Sequence, residues 1–113
     1  MQIEIRARNT QVTESLRRQI EERFRSVGKQ VSDPARLEIE LLVERNPAIV
    51  DGQIAEATLH LKGATLRARE GSADLVHSVD LVAVKLARQV KRHREKRSRR
   101  REQQRSSAAE TGL

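Results

Sequence analysis

The chain has 113 residues, enough for one compact domain of the common size of about 100 to 150 residues and too few for two. Hydrophobic residues make up 36% and charged residues 35%, and no apolar run approaches the roughly 20 residues of a membrane-crossing helix. There is no cysteine, which excludes disulfides, thiolate catalysis and cysteine-ligated zinc together. Met1 to Thr10 lacks the apolar stretch of a secretory leader, so the sequence reads as that of a cytoplasmic protein.

The net charge is +7, and its distribution is uneven. Residues 1–84 carry 12 basic and 13 acidic side chains, whereas residues 85–113 carry 11 basic and 3 acidic ones. A footprint for a polyanion confined to the last quarter of the chain therefore fits better than a uniformly basic surface. The competing account is a solubilising tail.

In chain order, Gln2 to Arg8 sets Ile3, Ile5 and Ala7 against Glu4, Arg6 and Arg8, the period-2 alternation of a strand with one buried face. Thr13 is placed to cap a helix presenting Leu16, Ile20, Phe24 and Val27 on one stripe. Gly28 stands where a left-handed residue commonly ends a helix, giving about four turns. Beyond Asp33-Pro34, the segment from Ala35 to Arg45 alternates with Leu37, Ile39, Leu41 and Val43 inward, broken only by Leu42. Asn46-Pro47 and Asp51-Gly52 mark turns, after which Ala55, Ala57, Leu59 and Leu61 form a third alternating set. Gly63 separates it from Ala64, Leu66 and Ala68, the fourth.

Gly71-Ser72 closes the sheet, and Ser72 is read as the cap of the last helix. Its apolar positions Leu75, Val79, Val82, Ala83, Leu86 and Val90 follow helical spacing closely. At about 100° per residue, Lys85, Arg88, Arg92 and Arg99 project away from that stripe, while His93 and Arg97 fall in line with it. The buried stripe thus ends near Val90, and the helix is expected to continue as a basic rod, since no Gly or Pro intervenes before Gly112. Ser106 to Leu113 is read as disordered.

The order β-α-β-β-β-α implies an α+β sandwich of two layers, a four-stranded sheet with both helices on one face. The crossover makes the first two strands parallel if adjacent, and the last three form a meander. In topology this resembles a double-stranded-RNA-binding domain with one additional strand. Residues 1–97 form the expected domain and 98–113 a basic, partly disordered tail.

His60, His77 and His93 lie far apart without carboxylates at ligand spacing, so no metal site is expected. Glu38, Glu40 and Glu44 read as a solvated strand face rather than acid-base machinery, and no nucleophile motif or phosphate-cradling loop occurs. No enzyme and no cofactor are therefore expected. With no Trp or Tyr, and Phe24 claimed by the core, base stacking on exposed rings is excluded. What remains for nucleic acid is electrostatic contact with phosphates of structured RNA or duplex.

Three stretches carry a resemblance: Glu56-Ala57-Thr58-Leu59-His60, the pair Asp74 and Asp80, and Lys85-Leu86-Ala87-Arg88-Gln89 running into Arg92-His93-Arg94-Glu95-Lys96. With the helix opening Val12-Thr13-Glu14-Ser15-Leu16-Arg17, they make residues 2–97 resemble the ribosome hibernation promoting factor and ribosome-associated inhibitor family. The resemblance implies the same β-α-β-β-β-α fold. It further implies binding to 16S rRNA of the small ribosomal subunit, in competition with mRNA and tRNA, by a monomer that silences translation through occlusion. By position it carries over RNA-contacting roles to Arg23, Lys29, Lys85, Arg88, Arg92, Arg94 and Lys96; charge and position add Arg25 and Lys91. Val76 stands where the family usually has Tyr, and Ser26 where a basic residue is common. The end at Leu113 and the basic terminus suggest the short, promoting-factor type. A general RNA or DNA chaperone, or a module docking its last helix on an acidic protein, are the alternatives.

Overall fold

A computed structural model describes residues 1–32 and 34–111, with side chains described through Gln103. The elements are β1 (Gln2–Arg8), α1 (Glu14–Arg23), α2 (Arg25–Gln30), β2 (Arg36–Val43), β3 (Gln53–Leu61), β4 (Ala64–Ser72) and α3 (Leu75–Thr111). The strands form one sheet in sequence order, β1 parallel to β2 and the rest antiparallel. The expected α+β architecture, with a crossover followed by a meander, is borne out.

Register explains why alternation was a sound guide. Ile5 pairs with Ile39, Ile39 with Ala57, and Ala57 with Ala68, so one apolar row crosses all four strands on the same face. Ile39, Ala57 and Ala68 are buried there, together with Leu37, Leu41, Ala55 and Leu59. Ile20, Phe24 and Val27 from the first helical segment and Val79, Val82, Ala83, Leu86 and Val90 from α3 close over that face. A sheet with one apolar face needs such a cover, and the two amphipathic helices supply it. Of the stripe on α3, Leu86 is fully buried whereas Leu75 is only half-buried at the rim, so Leu86 is the stronger anchor.

Four details depart from the sequence reading. The first helix is not one rod: it bends at Phe24, whose φ of −97° and ψ of 4° separate α1 from α2. Gly28 lies inside α2 rather than ending it, its N–H donating to the Phe24 carbonyl at 3.1 Å. A Cβ there would stand 3.3 Å from the Met1 Cε, so the glycine makes room for the amino-terminal side chain instead of a left-handed turn. The helix stops at Val31, which is extended at φ −118° and ψ 150°, three residues before Pro34.

The second departure is the cap of α3. β4 extends through Ser72, which pairs with Gln53, so Ser72 is still strand and Asp74 takes the capping role. The Asp74 carbonyl accepts from the Ser78 N–H at 3.0 Å, and its carboxylate from the Val76 N–H at 3.4 Å. Third, the polar Ser78 is fully buried on the core side of α3, where its hydroxyl bonds the Gln53 carbonyl and shares a 2.7 Å bond with the Ser72 hydroxyl. Such burial is tolerated because the group is satisfied.

Fourth, α3 crosses residue 97 without a break and its backbone is helical to Thr111, where disorder from Ser106 was expected. Ala108, Ala109 and Glu110 are good helix formers, which favours continuation. Gly112 and Leu113, the end of the expected disordered segment, lie outside the described residues. The 37 residues of α3 span about 55 Å at about 1.5 Å per residue. Only its first half lies over the sheet.

Candidate functional site

The residues expected to bind RNA fall into two groups once their partners are known. Arg23, in the last turn of α1, forms an ion pair with Asp80 of α3 and also donates to the Gln19 carbonyl at 3.3 Å. It ties α1 to α3 within the helical layer, across 57 residues of sequence. Lys85 reaches from α3 to Glu70 on β4, and Arg25 pairs with Glu22 at 2.8 Å. These three cations already have intramolecular anions, which a phosphate must displace or share.

Lys29, Arg88, Lys91, Arg92, Arg94 and Lys96 are exposed and enter no ion pair among the described residues. Five of the six sit on α3 beyond Leu86. The reason is geometric: Glu38, Glu40 and Glu56 pair on the far face of the sheet, Glu70 on β4 is taken by Lys85, and past Val90 the helix leaves the sheet altogether. The sequence there supplies only Glu95 and Glu102 as described acidic neighbours. Uncompensated like charges on a rigid rod make a local positive potential that long-range attraction to a polyanion lowers.

The opposite face of the sheet behaves differently. Arg8 pairs with Glu40 at 3.2 Å, Arg36 with Glu38 at 3.3 Å and Arg69 with Glu56 at 3.3 Å, so its charges largely cancel. His60 Nε2 lies 3.4 Å from Glu38 Oε2, and this contact, aided by the Arg36 charge, holds the Glu38 carboxyl below the usual range. The expected solvated strand face is therefore a charge ladder whose pairs run both across and along the strands. Among the described residues, no cluster of His, Asp or Glu is arranged to hold a metal ion, and no helix is long and apolar enough to cross a membrane.

Sequence reasoning passed over one feature. Where α3 leaves the sheet, it forms a groove of about 440 Å³ with the end of α2 and the β3–β4 turn. Val31, Leu61 and Val90 line it on the apolar side, and Lys62, His93, Arg94, Arg97 and Arg101 on the polar side. Gly63, at φ 79°, makes the tight turn that carries Lys62 toward the helix. The signal was present in the alignment of His93 and Arg97 with the buried stripe. Lys62 had none, because only the hairpin brings it there.

A two-layer α+β domain with a cationic helical arm is the class that fold and site define. Within that class, the chain belongs to the Sigma 54 modulation protein / S30EA ribosomal protein family, whose sequence model matches residues 3–98. It is 36% identical over 97 residues to a ribosome hibernation promotion factor of Picosynechococcus sp., covering 85% of this chain and 50% of that one. It is 32% identical over 105 residues to a ribosome hibernation promoting factor of Azotobacter vinelandii, covering 93% of this chain and 94% of that one. The chain thus spans half the length of the first relative and nearly all of the second. In fold it is similar to the crystal structure of the Thermus thermophilus Protein Y N-terminal domain, with a TM-score of 0.72 at 24% identity over 82% of this chain and 99% of that one. The resemblance read from the Glu56–His60 and Lys85–Lys96 segments is borne out.

Proposed function

We propose that this protein is a ribosome-associated hibernation factor of the cytoplasm that binds 16S rRNA of the small ribosomal subunit and inhibits translation by occupying the channel used by mRNA and tRNA. The observation that carries the reading is the run of unpaired cations on α3, from Arg88 to Arg101, on a helix that projects beyond its own sheet. The names of its relatives support the ribosome as the polyanion.

The mechanism needs no chemistry on a substrate. Phosphates of structured rRNA meet Arg88, Lys91, Arg92, Arg94 and Lys96 on the arm and Lys29 near the end of α2, releasing counterions as they do so. Arg23 and Arg25 lie on the same helical layer, and Lys85 at the base of the arm, each already balanced by a carboxylate. A body measuring 68 × 28 × 18 Å then excludes by volume whatever shares its path. A monomer suffices, because each contact comes from one chain.

Co-sedimentation with purified small subunits in a sucrose gradient tests this reading. The expected result is binding that saturates, falls as initiator tRNA and mRNA are added, and in turn blocks initiator-tRNA binding. Binding that leaves tRNA untouched overturns occlusion. Binding to any RNA or DNA with equal strength replaces the ribosome by a general chaperone role.

A further inference from the structure

Across its sheet and at the base of α3 this molecule places cations beside carboxylates. The groove at the point where α3 leaves the sheet breaks that pattern. Lys62, Arg94, Arg97 and Arg101 converge on it, and none of the four enters an ion pair among the described residues. None of the described residues that line it is acidic. His93 lines it too, and its Nε2 nitrogen is sheltered from solvent without a hydrogen-bond partner, a polar demand left unmet where anions are already attracted.

The convergence follows from helix geometry. Val90, Arg94, Arg97 and Arg101 fall within about 60° of one another on α3, so the face that is apolar over the sheet becomes basic one turn later without changing direction. The groove therefore has an apolar wall of the half-buried Val31 and Leu61, with the buried Val90 behind them, beside a cationic one. Its volume of about 440 Å³ lies within the range of small-ligand sites. A group that is anionic at one end and flat and weakly polar at the other matches both walls, whereas a bare inorganic anion matches one.

We propose that this groove is a phosphate-binding site that seats a single nucleotide, its phosphate against Lys62, Arg94, Arg97 and Arg101 and its base and ribose against Val31 and Leu61. It is separate from the outer face of α3 that bears Lys85, Arg88 and Arg92. The phosphate comes from a free nucleotide or from the backbone of an RNA strand. The second source rests on the proposed function above, and the first does not.

Nuclear magnetic resonance of the full ¹⁵N-labelled chain decides the matter, with inorganic phosphate, AMP and the dinucleoside monophosphate ApA as probes. AMP or ApA is expected to shift the Lys62, His93 and Arg97 signals saturably. A Lys62→Ala/Arg97→Ala variant with an unchanged melting midpoint is expected to weaken binding about tenfold or more, the size of one charge-assisted hydrogen bond removed. Tighter binding of AMP assigns the site to free nucleotides; equal or tighter binding of ApA assigns it to an RNA backbone. Shifts confined to Lys85, Arg88 and Arg92, no saturable shift, or a variant that binds as well as the parent each overturn the proposal. So does inorganic phosphate binding as tightly as both nucleotides, because the apolar wall then contributes nothing. Ribosome co-sedimentation run beside it separates the two readings. Persistent co-sedimentation without nucleotide shifts removes the groove alone, and nucleotide shifts without co-sedimentation remove the ribosome alone.

Discussion

The two halves of α3 share one backbone and almost nothing else. From Leu75 to Val90 the helix turns Val79, Val82, Leu86 and Val90 into the core, and its base is pinned by Arg23 to Asp80 and Lys85 to Glu70. From Lys91 to Gln103 nearly every described side chain is exposed, and the cations have no partners within the molecule among the described residues. Burial makes the first half a source of stability. The second half contributes little to it, since exposed charges without partners add no packing. Stability and reach are therefore separable along a single helix, and substitutions distinguish the two halves.

The largest effect is expected where packing is densest. Leu86→Ala removes a fully buried side chain and is expected to destabilise the protein by about 2 to 5 kcal/mol, read from denaturant or thermal melts. Leu75→Ala, at the half-buried rim, is expected to cost clearly less. Equal losses at both positions contradict the gradient along the helix.

Next comes the arm. The triple change of Lys85, Arg88 and Arg92 to Ala is expected to weaken ribosome binding, with only the small drop in melting midpoint that loss of the Lys85 to Glu70 pair brings. The slope of log affinity against log salt is expected to flatten by roughly 0.7 to 0.9 for each phosphate that the variant no longer neutralises. Since Lys85 is paired with Glu70, the double change of Arg88 and Arg92 alone is expected to produce most of the flattening. A triple variant with the parent's affinity and salt slope moves the RNA-binding face elsewhere.

A smaller effect joins α1 to α3. Arg23 and Asp80 keep side-chain exposures of 31% and 45%, so solvent screens their pair, and a double-mutant cycle to Ala is expected to give a coupling of about 0.5 to 1 kcal/mol. A coupling near zero would leave Arg23 free to serve RNA alone.

The smallest effect concerns pH, on the sheet face away from the helices. The close approach of His60, with the Arg36 charge beside it, lowers the Glu38 pKa in the folded state below its ordinary 4.5. The stabilisation this provides is complete above that ordinary value and is lost as pH falls through the folded value. An NMR titration of the Glu38 carboxyl is expected to show a midpoint below 4.5 that rises in His60→Gln. An unmoved midpoint dismisses the His60 contact as its cause.

Local periodicity carried most of the fold. The alternation of Ile3, Ile5 and Ala7, the inward set from Leu37 to Val43, and the stripe from Val79 to Val90 each depend on neighbours within a turn or two, which a sequence displays directly. What it hid depends on distant residues. Gly28 looked like a helix end because the Met1 side chain packed over it is invisible along the chain. Ser72 looked like a cap because its pairing with Gln53, which keeps it in β4, is a tertiary fact. The site was legible as charge and illegible as partnership: nothing in the neighbourhood of Arg23 or Lys85 announces Asp80 or Glu70, whereas the isolation of Arg88 and Arg92 follows from a stretch poor in acids.

The length of α3 beyond the sheet has a further consequence for how the arm comes to exist. Starting a helix in water is unfavourable by a factor of about 10⁻³, whereas lengthening one is nearly neutral, so the packed half serves as the nucleus from which the outer half grows. Along the outer half, Arg88 and Arg92, Arg92 and Lys96, Lys96 and Arg100, and Arg97 and Arg101 stand four residues apart, a spacing at which like charges repel. Amide hydrogens should therefore exchange along a gradient, slowest near Leu86 and progressively faster toward Gln103. An anionic surface that neutralises the repulsion should flatten that gradient and slow exchange in the outer turns. The arm is in this sense a spring of fraying helix, wound from one end by the core and held taut at the other by whatever negative charge it meets.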